Sequence, residues 1–183
     1  MEAADEQLML AYAGGDAGAF ETLYARHKGP LYRFVLRSVK ARGEAEDLFQ
    51  EIWIRAIEAR ARYEPKAKFS TWLYTIAHNR LVDHWRTKGL SLVSLDDEGG
   101  AVIDPPAGPS AEPDRRAEGR QTVSRLLEAI AALPAAQREA FLLHEEGGLS
   151  VAEIAAATAT PEETAKSRLR YAVNKLREAI DDD

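Results

Sequence analysis

The sequence predicts an all-α protein with two small helical domains joined by a flexible linker, the C-terminal domain containing a helix-turn-helix. Apolar residues recur at helical spacing through most of the 183 residues, and no segment alternates convincingly as a strand would. The main interruption, residues 91–119, holds four of the eight prolines and has no sustained apolar period. It therefore separates a domain at 1–90 from a domain at 120–183.

Composition limits the classes of protein to which the chain can belong. There is no cysteine, which excludes disulfides and cysteine-ligated metal sites. No apolar run approaches the roughly 20 residues that a membrane-spanning helix needs, and the acidic N-terminus is unlike a signal peptide. We therefore expect a cytoplasmic protein without membrane insertion. The net charge of −6 is concentrated in the linker and in the acidic tail, so the helices themselves are less acidic.

The first domain is predicted to be a bundle of four or five helices. Asp5 is a candidate cap for the first helix, and Asp16 is a candidate cap for the second. Pro30 fits the first turn of a further helix. A long helix is predicted from about residue 44 to 62, and Ser70 is a candidate N-cap for the last helix of this domain.

The second domain contains the clearest helix signals. Its first two helices are separated at Pro134, where proline ends the apolar period. Ser150 and Glu153 then form a capping box that opens a short helix. Thr160 and Pro161 open the last helix. Two well-marked helices with about three residues between them indicate a helix-turn-helix.

The last helix has one apolar face and one basic face. Its predicted buried stripe comprises Ala165, Leu169, Ala172, Val173, Leu176 and Ile180. The candidate DNA-contacting residues are Thr164, Lys166, Ser167, Arg168, Arg170 and Tyr171. Phosphates need cations, and base edges in the major groove need hydrogen-bonding side chains such as arginine, lysine and serine. With the preceding capped helix and short turn, this pattern favours DNA binding over a merely solvated face.

The long helix at 44–62 has an acidic outer face. Apolar residues at spacings of three and four face the core, whereas the other side carries Asp47, Gln50, Glu51, Ile54 and Glu58. An acidic stripe is usually just solvated, but an isoleucine in its middle is less usual. The pattern leaves open a solvated face or a docking surface for a basic, partly apolar partner helix.

Residues 68–88 combine an apolar stripe with cations and aromatic side chains. We expect Trp72 in the core, whereas the pattern does not decide the position of Trp85. The residues that could contact nucleic acid are His78, Asn79, Arg80, Asp83, His84 and Arg86. Aromatic rings stack on exposed bases and cations hold the backbone, so this composition suits single-stranded nucleic acid.

No arrangement of residues indicates catalysis or a bound cofactor. His78 and His84 are six residues apart, which does not place both on one helical face, and no His-Glu-x-x-His motif occurs. Asp47 and Glu51 are one turn apart, but no Glu-x-x-His motif completes a di-metal site. There is no phosphate loop and no nucleophile elbow. We expect no enzyme activity, no metal and no cofactor.

Several stretches together resemble bacterial RNA polymerase sigma factors of the extracytoplasmic-function (ECF) group over nearly the whole chain. "AEDLFQEIWIRA" resembles the part of region 2 that docks on core polymerase, and "FSTWLYTIAHNRLVDHWR" resembles the part that opens and reads the −10 element. "SLDD" and the following linker resemble the inter-domain connector. "LPAAQREAFLLHEEGGLSVAEIAAAT" and "TPEETAKSRLRYAVNKLRE" resemble region 4, whose second helix reads the −35 element. Their order and spacing make the match specific.

The resemblance implies a partner for each surface. The acidic face of the long helix, with Asp47, Gln50, Glu51 and Ile54, would contact core RNA polymerase. The candidate residues between His78 and Arg86 would bind the −10 element of promoter DNA, and those between Thr164 and Tyr171 would bind the −35 element. The resemblance also implies an anti-sigma factor that packs between the two domains.

The chain departs from the family pattern at three places in region 4. Ala159 occupies the turn where glycine is common, and glycine eases positive φ. Glu162 and Glu163 replace a pattern that is usually apolar and contains glycine. Tyr171 stands where the family often continues with further cations, whose loss should weaken phosphate binding or alter sequence choice.

Two other functions remain open on the residues alone. A free-standing helix-turn-helix regulator would bind as a symmetric dimer to half-sites about one helical turn apart. A sigma-like helical adaptor would have no DNA role, and replacing Lys166 and Arg170 by alanine would leave its activity intact.

Overall fold

The computed structural model describes residues 1–89 and 115–181. Within these ranges the chain forms eight α-helices and one 3₁₀ turn without any strand, which confirms the all-α prediction. Residues 91–114 of the predicted linker lie outside the described residues. The helices are α1 (Asp5–Ala13), α2 (Ala17–Val39), α3 (Arg42–Glu58), α4 (Phe69–Thr87), α5 (Arg115–Ala132), α6 (Ala135–Glu145), α7 (Val151–Thr158) and α8 (Glu162–Asp181).

The last five residues of the predicted linker are helical, which corrects that prediction. α5 begins at Arg115, so residues 115–119 form its first turn. This segment has no apolar period, and apolar period was the criterion used to place the linker. Arginine, alanine and glutamate are nevertheless good helix formers, so the helix extends into a stretch without an apolar period.

Two aspartates near the N-terminus have different roles. The Asp16 side chain accepts a hydrogen bond from Ala19 N (3.3 Å), which confirms it as the cap of α2. Asp5 is not a cap, contrary to the prediction, because it is the first residue of α1. Its carboxylate oxygens lie 2.8 Å from Arg26 Nη1 and 2.7 Å from His27 Nε2 on α2. Burial opposes ionisation of Asp5, but these two hydrogen bonds outweigh it and lower its pKa.

α2 continues without a break through Pro30, so the predicted helix start at this proline is wrong. Proline has no N–H, and the Arg26 carbonyl therefore loses its helical partner. Leu23 before the proline and Leu31 and Phe34 after it are fully buried in the same core. We attribute the continuity of α2 to this shared burial, which holds both halves of the helix against the same neighbours.

A residue that is distant in sequence caps the start of α4. The helix begins at Phe69, so the predicted N-cap role of Ser70 is wrong. The backbone N–H of Phe69 donates to the Glu6 carboxylate of α1 at 2.7 Å. α3 also differs slightly from the prediction, because it ends at Glu58 and a 3₁₀ turn follows at Arg60–Arg62.

The front unit, residues 1–89, has a hydrophobic core. Most of its buried residues belong to α2, α3 and α4. Ile52 of α3 and Leu73 and Leu81 of α4 are fully buried. Trp85 is 6% exposed and belongs to this core, which decides the question that the sequence left open. Trp72 is only half-buried and packs against the outside of the core. None of the helices described is both long and apolar enough to cross a membrane.

Residues 115–181, the back unit, contain the predicted helix-turn-helix as α7 and α8. Ser150 Oγ accepts from Glu153 N (3.2 Å) and the Glu153 carboxylate accepts from Ser150 N (2.8 Å), which confirms the capping box. α7 is followed by Ala159 with a left-handed φ of 51°. The turn thus keeps a geometry that glycine adopts more easily, and Ala159 adopts it at a steric cost. α8 begins at Glu162, one residue later than predicted.

The predicted buried stripe of α8 is correct except at its C-terminal end. Its buried or half-buried members are Ala165, Leu169, Ala172, Val173 and Leu176. Ile180 is 44% exposed, contrary to the prediction. All of residues 177–181 are exposed, so helical spacing continues beyond the point where neighbouring helices cover it.

The front and back units are in direct contact. α4 packs on α7, and α2 packs on α6. Charged side chains cross between them: Lys68 Nζ lies 3.0 Å from Glu153 Oε1, and Arg33 Nε lies 2.8 Å from Glu146 Oε2. This contact decides which parts of α4 and α6 are accessible.

We expect Ser150→Ala to lower the free energy of unfolding by about 1 kcal/mol, because it removes the side-chain acceptor at the start of α7. Ser70→Ala is the matched control, since α4 begins before Ser70, and it should change this free energy by less than about 0.5 kcal/mol. Urea denaturation followed by circular dichroism measures both. Equal losses for the two variants would contradict this assignment of the caps.

Candidate functional site

The acidic outer face predicted on α3 is accessible in the structure. Asp47 and Gln50 are exposed, and Ile54 keeps 53% of its surface exposed. Glu51 lies one turn before Ile54 and is partly covered. The four predicted residues therefore lie on one side of α3, where an exposed apolar side chain follows two carboxylates and an amide.

Charged residues at the edge of this face pair with residues of α4. The Glu51 carboxylate accepts a hydrogen bond from Arg80 Nε. One turn further on, Arg55 Nη2 lies 3.3 Å from Asp83 Oδ2. The sequence assigned Glu51 and Arg80 to two separate surfaces, but the packing of α3 on α4 makes those surfaces adjacent.

The residues predicted on α4 to bind nucleic acid divide into exposed and covered groups. Asn79, Asp83 and Arg86 are exposed. His78 is only 7% exposed, and its Nδ1 lies 2.5 Å from Glu139 Oε1 on α6. A nucleic acid could reach the exposed residues in this arrangement, whereas His78 is covered by the back unit.

His84 lies near the α3–α4 contact and is mostly covered. Its Nε2 lies 3.6 Å from Glu44 Oε2. Burial lowers the pKa of His84 and outweighs the opposing effect of the Glu44 carboxylate. A hydrogen bond from Lys88 lowers the pKa of Glu44. At neutral pH we therefore expect His84 to act as an uncharged hydrogen-bonding group.

The basic face of α8 is accessible to solvent. Lys166 and Arg170 are exposed, and Tyr171 is 49% exposed. The Arg170 guanidinium lies 5.2 Å from the centroid of the Tyr171 ring, which is a cation–π distance. The partly buried members of the predicted set are Thr164, Ser167 and Arg168. α8 thus presents Lys166 and Arg170 outward, whereas Thr164, Ser167 and Arg168 lie closer to the body of the unit.

An open cleft of about 390 Å³ adjoins this face, between α6 and α8. The residues that line it are Gln137, Glu163, Thr164, Ser167, Arg168 and Tyr171. Gln137 is absent from the predicted set, although it is 7% exposed and its Oε1 has no hydrogen-bond partner among the described residues. Gln137 could not easily be predicted from the sequence, because a glutamine in a helix is ordinarily exposed to solvent.

No group of three or more histidine, aspartate or glutamate side chains that could hold a metal ion occurs within residues 1–89 and 115–181. His78 and His84 have different carboxylate neighbours, Glu139 on α6 and Glu44 on α3. The observed features are three exposed surfaces, namely the α3 face, the outer part of α4 and the basic face of α8.

Comparison with known proteins assigns each unit to the same family. The family profile of Sigma-70 region 2 matches residues 23–90, and that of Sigma-70, region 4 matches residues 124–176. The chain is 30% identical over 177 residues to the ECF RNA polymerase sigma factor SigK of Mycobacterium bovis, covering 96% of this chain and 93% of SigK. It is 29% identical over 174 residues to SigK of a Mycobacterium species, covering 94% and 89%.

Solved structures of similar fold cover most of the chain. CnrH, in complex with the cytosolic domain of CnrY, superposes with a TM-score of 0.71 at 23% identity, covering 99% of both chains. The sigma factor RpoE of Bartonella quintana, crystallised with the anti-sigma factor NepR, superposes with a TM-score of 0.67 at 26% identity, covering 90% of this chain and 98% of RpoE. The matches to both sigma regions, together with 30% identity to SigK over 96% of the chain, show that this chain belongs to the ECF RNA polymerase sigma factors.

Proposed function

We propose that the chain is an alternative sigma factor that binds core RNA polymerase in the cytoplasm and directs promoter-specific transcription initiation. The observation that carries this proposal is the pairing, in one chain, of an exposed acidic face around Ile54 with an exposed basic face on α8. Family membership over both units favours this function over a free-standing regulator or an adaptor without a DNA role. As a sigma factor, the chain acts without enzyme activity of its own.

The α3 face fits a basic, partly apolar helix of the polymerase. Asp47 and Glu51 supply negative charge, Gln50 supplies a polar hydrogen-bonding group, and Ile54 supplies apolar area at the centre. Charge complementarity steers the encounter, and burial of the isoleucine stabilises the complex. We propose this surface as the core-polymerase site.

The outer part of α4 is proposed to bind the −10 element. Asn79 and Arg86 are exposed and can contact bases and phosphates, while Asp83 and Arg80 are partly neutralised by α3. His84 supplies an uncharged hydrogen-bonding group. His78 belongs to the proposed set only in a state in which the back unit no longer covers it.

The basic face of α8 is proposed to bind the −35 element in the major groove. Lys166 and Arg170 are placed to contact phosphates or guanine edges, and Ser167 lies between them on the helix. Thr164, Arg168 and Tyr171 complete the proposed set. The exposed carboxylates of the first turn would oppose a phosphate, so contact should begin at about Thr164.

We also propose that an anti-sigma factor controls this chain. The support is the likeness to RpoE, a sigma factor crystallised with the anti-sigma factor NepR, at 26% identity and a TM-score of 0.67. The anti-sigma factor would withhold the chain from polymerase until a signal releases it.

Run-off transcription tests the proposed function. Sigma-free bacterial core polymerase is combined with this chain and a pool of fragments from its own genome. We expect transcripts with defined start sites that share sequence elements upstream, and none without the chain. Co-elution with core polymerase without defined transcripts would contradict promoter recognition, and absence of both would contradict the proposed function.

A further inference from the structure

The side chain of Gln137, in the first turn of α6, contains a buried hydrogen-bond acceptor that has no donor. Gln137 is 7% exposed, and its Oε1 lacks a hydrogen-bond partner among the described residues. Most buried polar atoms of side chains in folded proteins are paired, because leaving one unpaired is costly. The unpaired Oε1 therefore indicates that the missing donor belongs to a ligand.

This glutamine lies beside the surface that is proposed to bind the −35 element. It lines the open cleft of about 390 Å³ between α6 and α8, together with five residues of α8, namely Glu163, Thr164, Ser167, Arg168 and Tyr171. All five except Glu163 belong to the proposed −35 set. DNA bound to α8 would therefore cover this cleft, which makes DNA the ligand that the position of Gln137 favours.

The polar groups of the cleft favour the edge of a base over a phosphate. A phosphate cannot satisfy Oε1 of Gln137, because phosphate oxygens are themselves acceptors. The carboxylate of Glu163, which also lines the cleft, would repel a phosphate. Arg168 is the cation among the lining residues, but it is partly buried and already takes part in an interaction within the chain. The cleft therefore suits a ligand that donates a hydrogen bond.

In the major groove of DNA, the donors are the exocyclic amines of adenine and cytosine. The amide of Gln137 carries a carbonyl acceptor and an amino donor side by side. Adenine presents the complementary pair, its N6 donor next to its N7 acceptor, whereas cytosine presents only its N4 donor. The terminal torsion of a glutamine is broad, so the amide can turn toward the open cleft without any movement of α6. Adenine is therefore the base that fits both ends of the amide.

We infer that Gln137 is a specificity-determining residue that reads an adenine of the −35 element from α6, beside the residues of α8 that contact the same DNA. In the free chain its acceptor is buried without a partner, and the promoter supplies the donor. This inference rests on the proposed function, because it adds a contact to the proposed −35 surface.

Base preference of the reconstituted polymerase tests this assignment. Core polymerase carrying this chain is bound to promoter duplexes from the run-off experiment, in which each base pair of the −35 element is replaced in turn by the other three. We expect one adenine whose replacement weakens binding by the unsubstituted chain about tenfold, the scale of a bidentate base contact. With Gln137→Met, which keeps the length of the side chain, the preference at this position should fall below about twofold while the other positions keep theirs.

Two analogues of this adenine identify the atoms that Gln137 contacts. Purine lacks the N6 amine, and 7-deazaadenine lacks N7. Each should weaken binding by the unsubstituted chain at least about threefold and leave binding by the Gln137→Met variant unchanged. Gln137→Glu provides a second variant, whose two oxygens accept but do not donate when ionised, and it should move the preference at this position toward cytosine.

A matched control and the form of the loss keep the test decisive. Gln121→Met alters an exposed glutamine of α5 that does not line the cleft, and it should preserve every base preference. A merely structural role of Gln137 would weaken binding to all duplexes alike. Such a uniform loss, or unchanged preferences in the Gln137→Met variant, would overturn the inference, and the proposed function would stand if Lys166→Ala still weakens binding in the same assay. If the unsubstituted chain shows no base preference in the −35 element, the proposed −35 role fails and the inference falls with it.

Discussion

Replacing Ile54 by aspartate is expected to weaken the binding of core RNA polymerase by about 100-fold, the scale of a central interface anchor. Ile54 is 53% exposed in the free chain, so the substitution removes little from the protein's own core. In the complex the same side chain would be buried at the centre of the acidic face. A carboxylate there would lose the apolar contact and place a further unpaired charge in a dry interface.

Binding of labelled chain to immobilised core polymerase measures this effect. Leu10→Asp is the matched control, because Leu10 on α1 is similarly exposed, at 47%, and lies outside the proposed docking face. Both variants should unfold within about 0.5 kcal/mol of the unsubstituted chain, as exposed substitutions usually do. Equal binding by the Ile54 and Leu10 variants would refute the assignment of the docking surface to α3.

Replacing Arg170 by alanine is expected to reduce transcription from a promoter with a −35 element at least about tenfold, and Lys166→Ala should act in the same direction. A bidentate contact between arginine and a guanine edge is worth about 1–3 kcal/mol of discrimination. A lysine that contacts a phosphate adds about one unit to the salt dependence of binding. Both side chains are exposed on α8, so their loss should not disturb its packing.

Run-off transcription at several salt concentrations distinguishes these contributions. Arg120→Ala provides the matched control, because Arg120 is an exposed arginine of the same unit on α5 and is not a member of the proposed DNA-binding set. On a template whose −35 element has been scrambled, Arg170→Ala should have little further effect. A tenfold loss from Arg120→Ala as well, or an undiminished loss on the scrambled template, would contradict the −35 role of α8.

Local signals predicted most of the helices, because their causes lie within a few residues. The capping box of Ser150 and Glu153 forms as predicted, since both partners belong to one turn. Pro134 separates α5 from α6 as predicted, because a proline ends a helix through its own backbone geometry. The predictions at Pro30 and Ser70 are wrong, because their causes are distant in sequence. Other helices bury α2 on both sides of Pro30, and the carboxylate of Glu6 caps α4.

The candidate surfaces were predictable to the extent that they lie on one helix. The faces that carry Ile54 on α3 and Arg170 on α8 follow from helical spacing, and both are exposed. Pairing between helices was not predictable. Glu51 meets Arg80 across the α3–α4 contact, and His78 meets Glu139, which is 61 positions later in the sequence.

Helical period, capping residues and charge placement within single helices sufficed to indicate an all-α protein with a helix-turn-helix and with separate acidic and basic faces. These features depend on residues three or four positions apart, so they can be read along the chain. The likeness to sigma factors came from the resemblance of several stretches to that family. Packing of helices within the front unit determined that Trp85 is buried. Contact between the two units determined that His78 is buried and that Arg33 and Arg37 meet Glu146. Burial and ion pairing depend on three-dimensional proximity, and no periodicity in one segment specifies which distant segment will cover it.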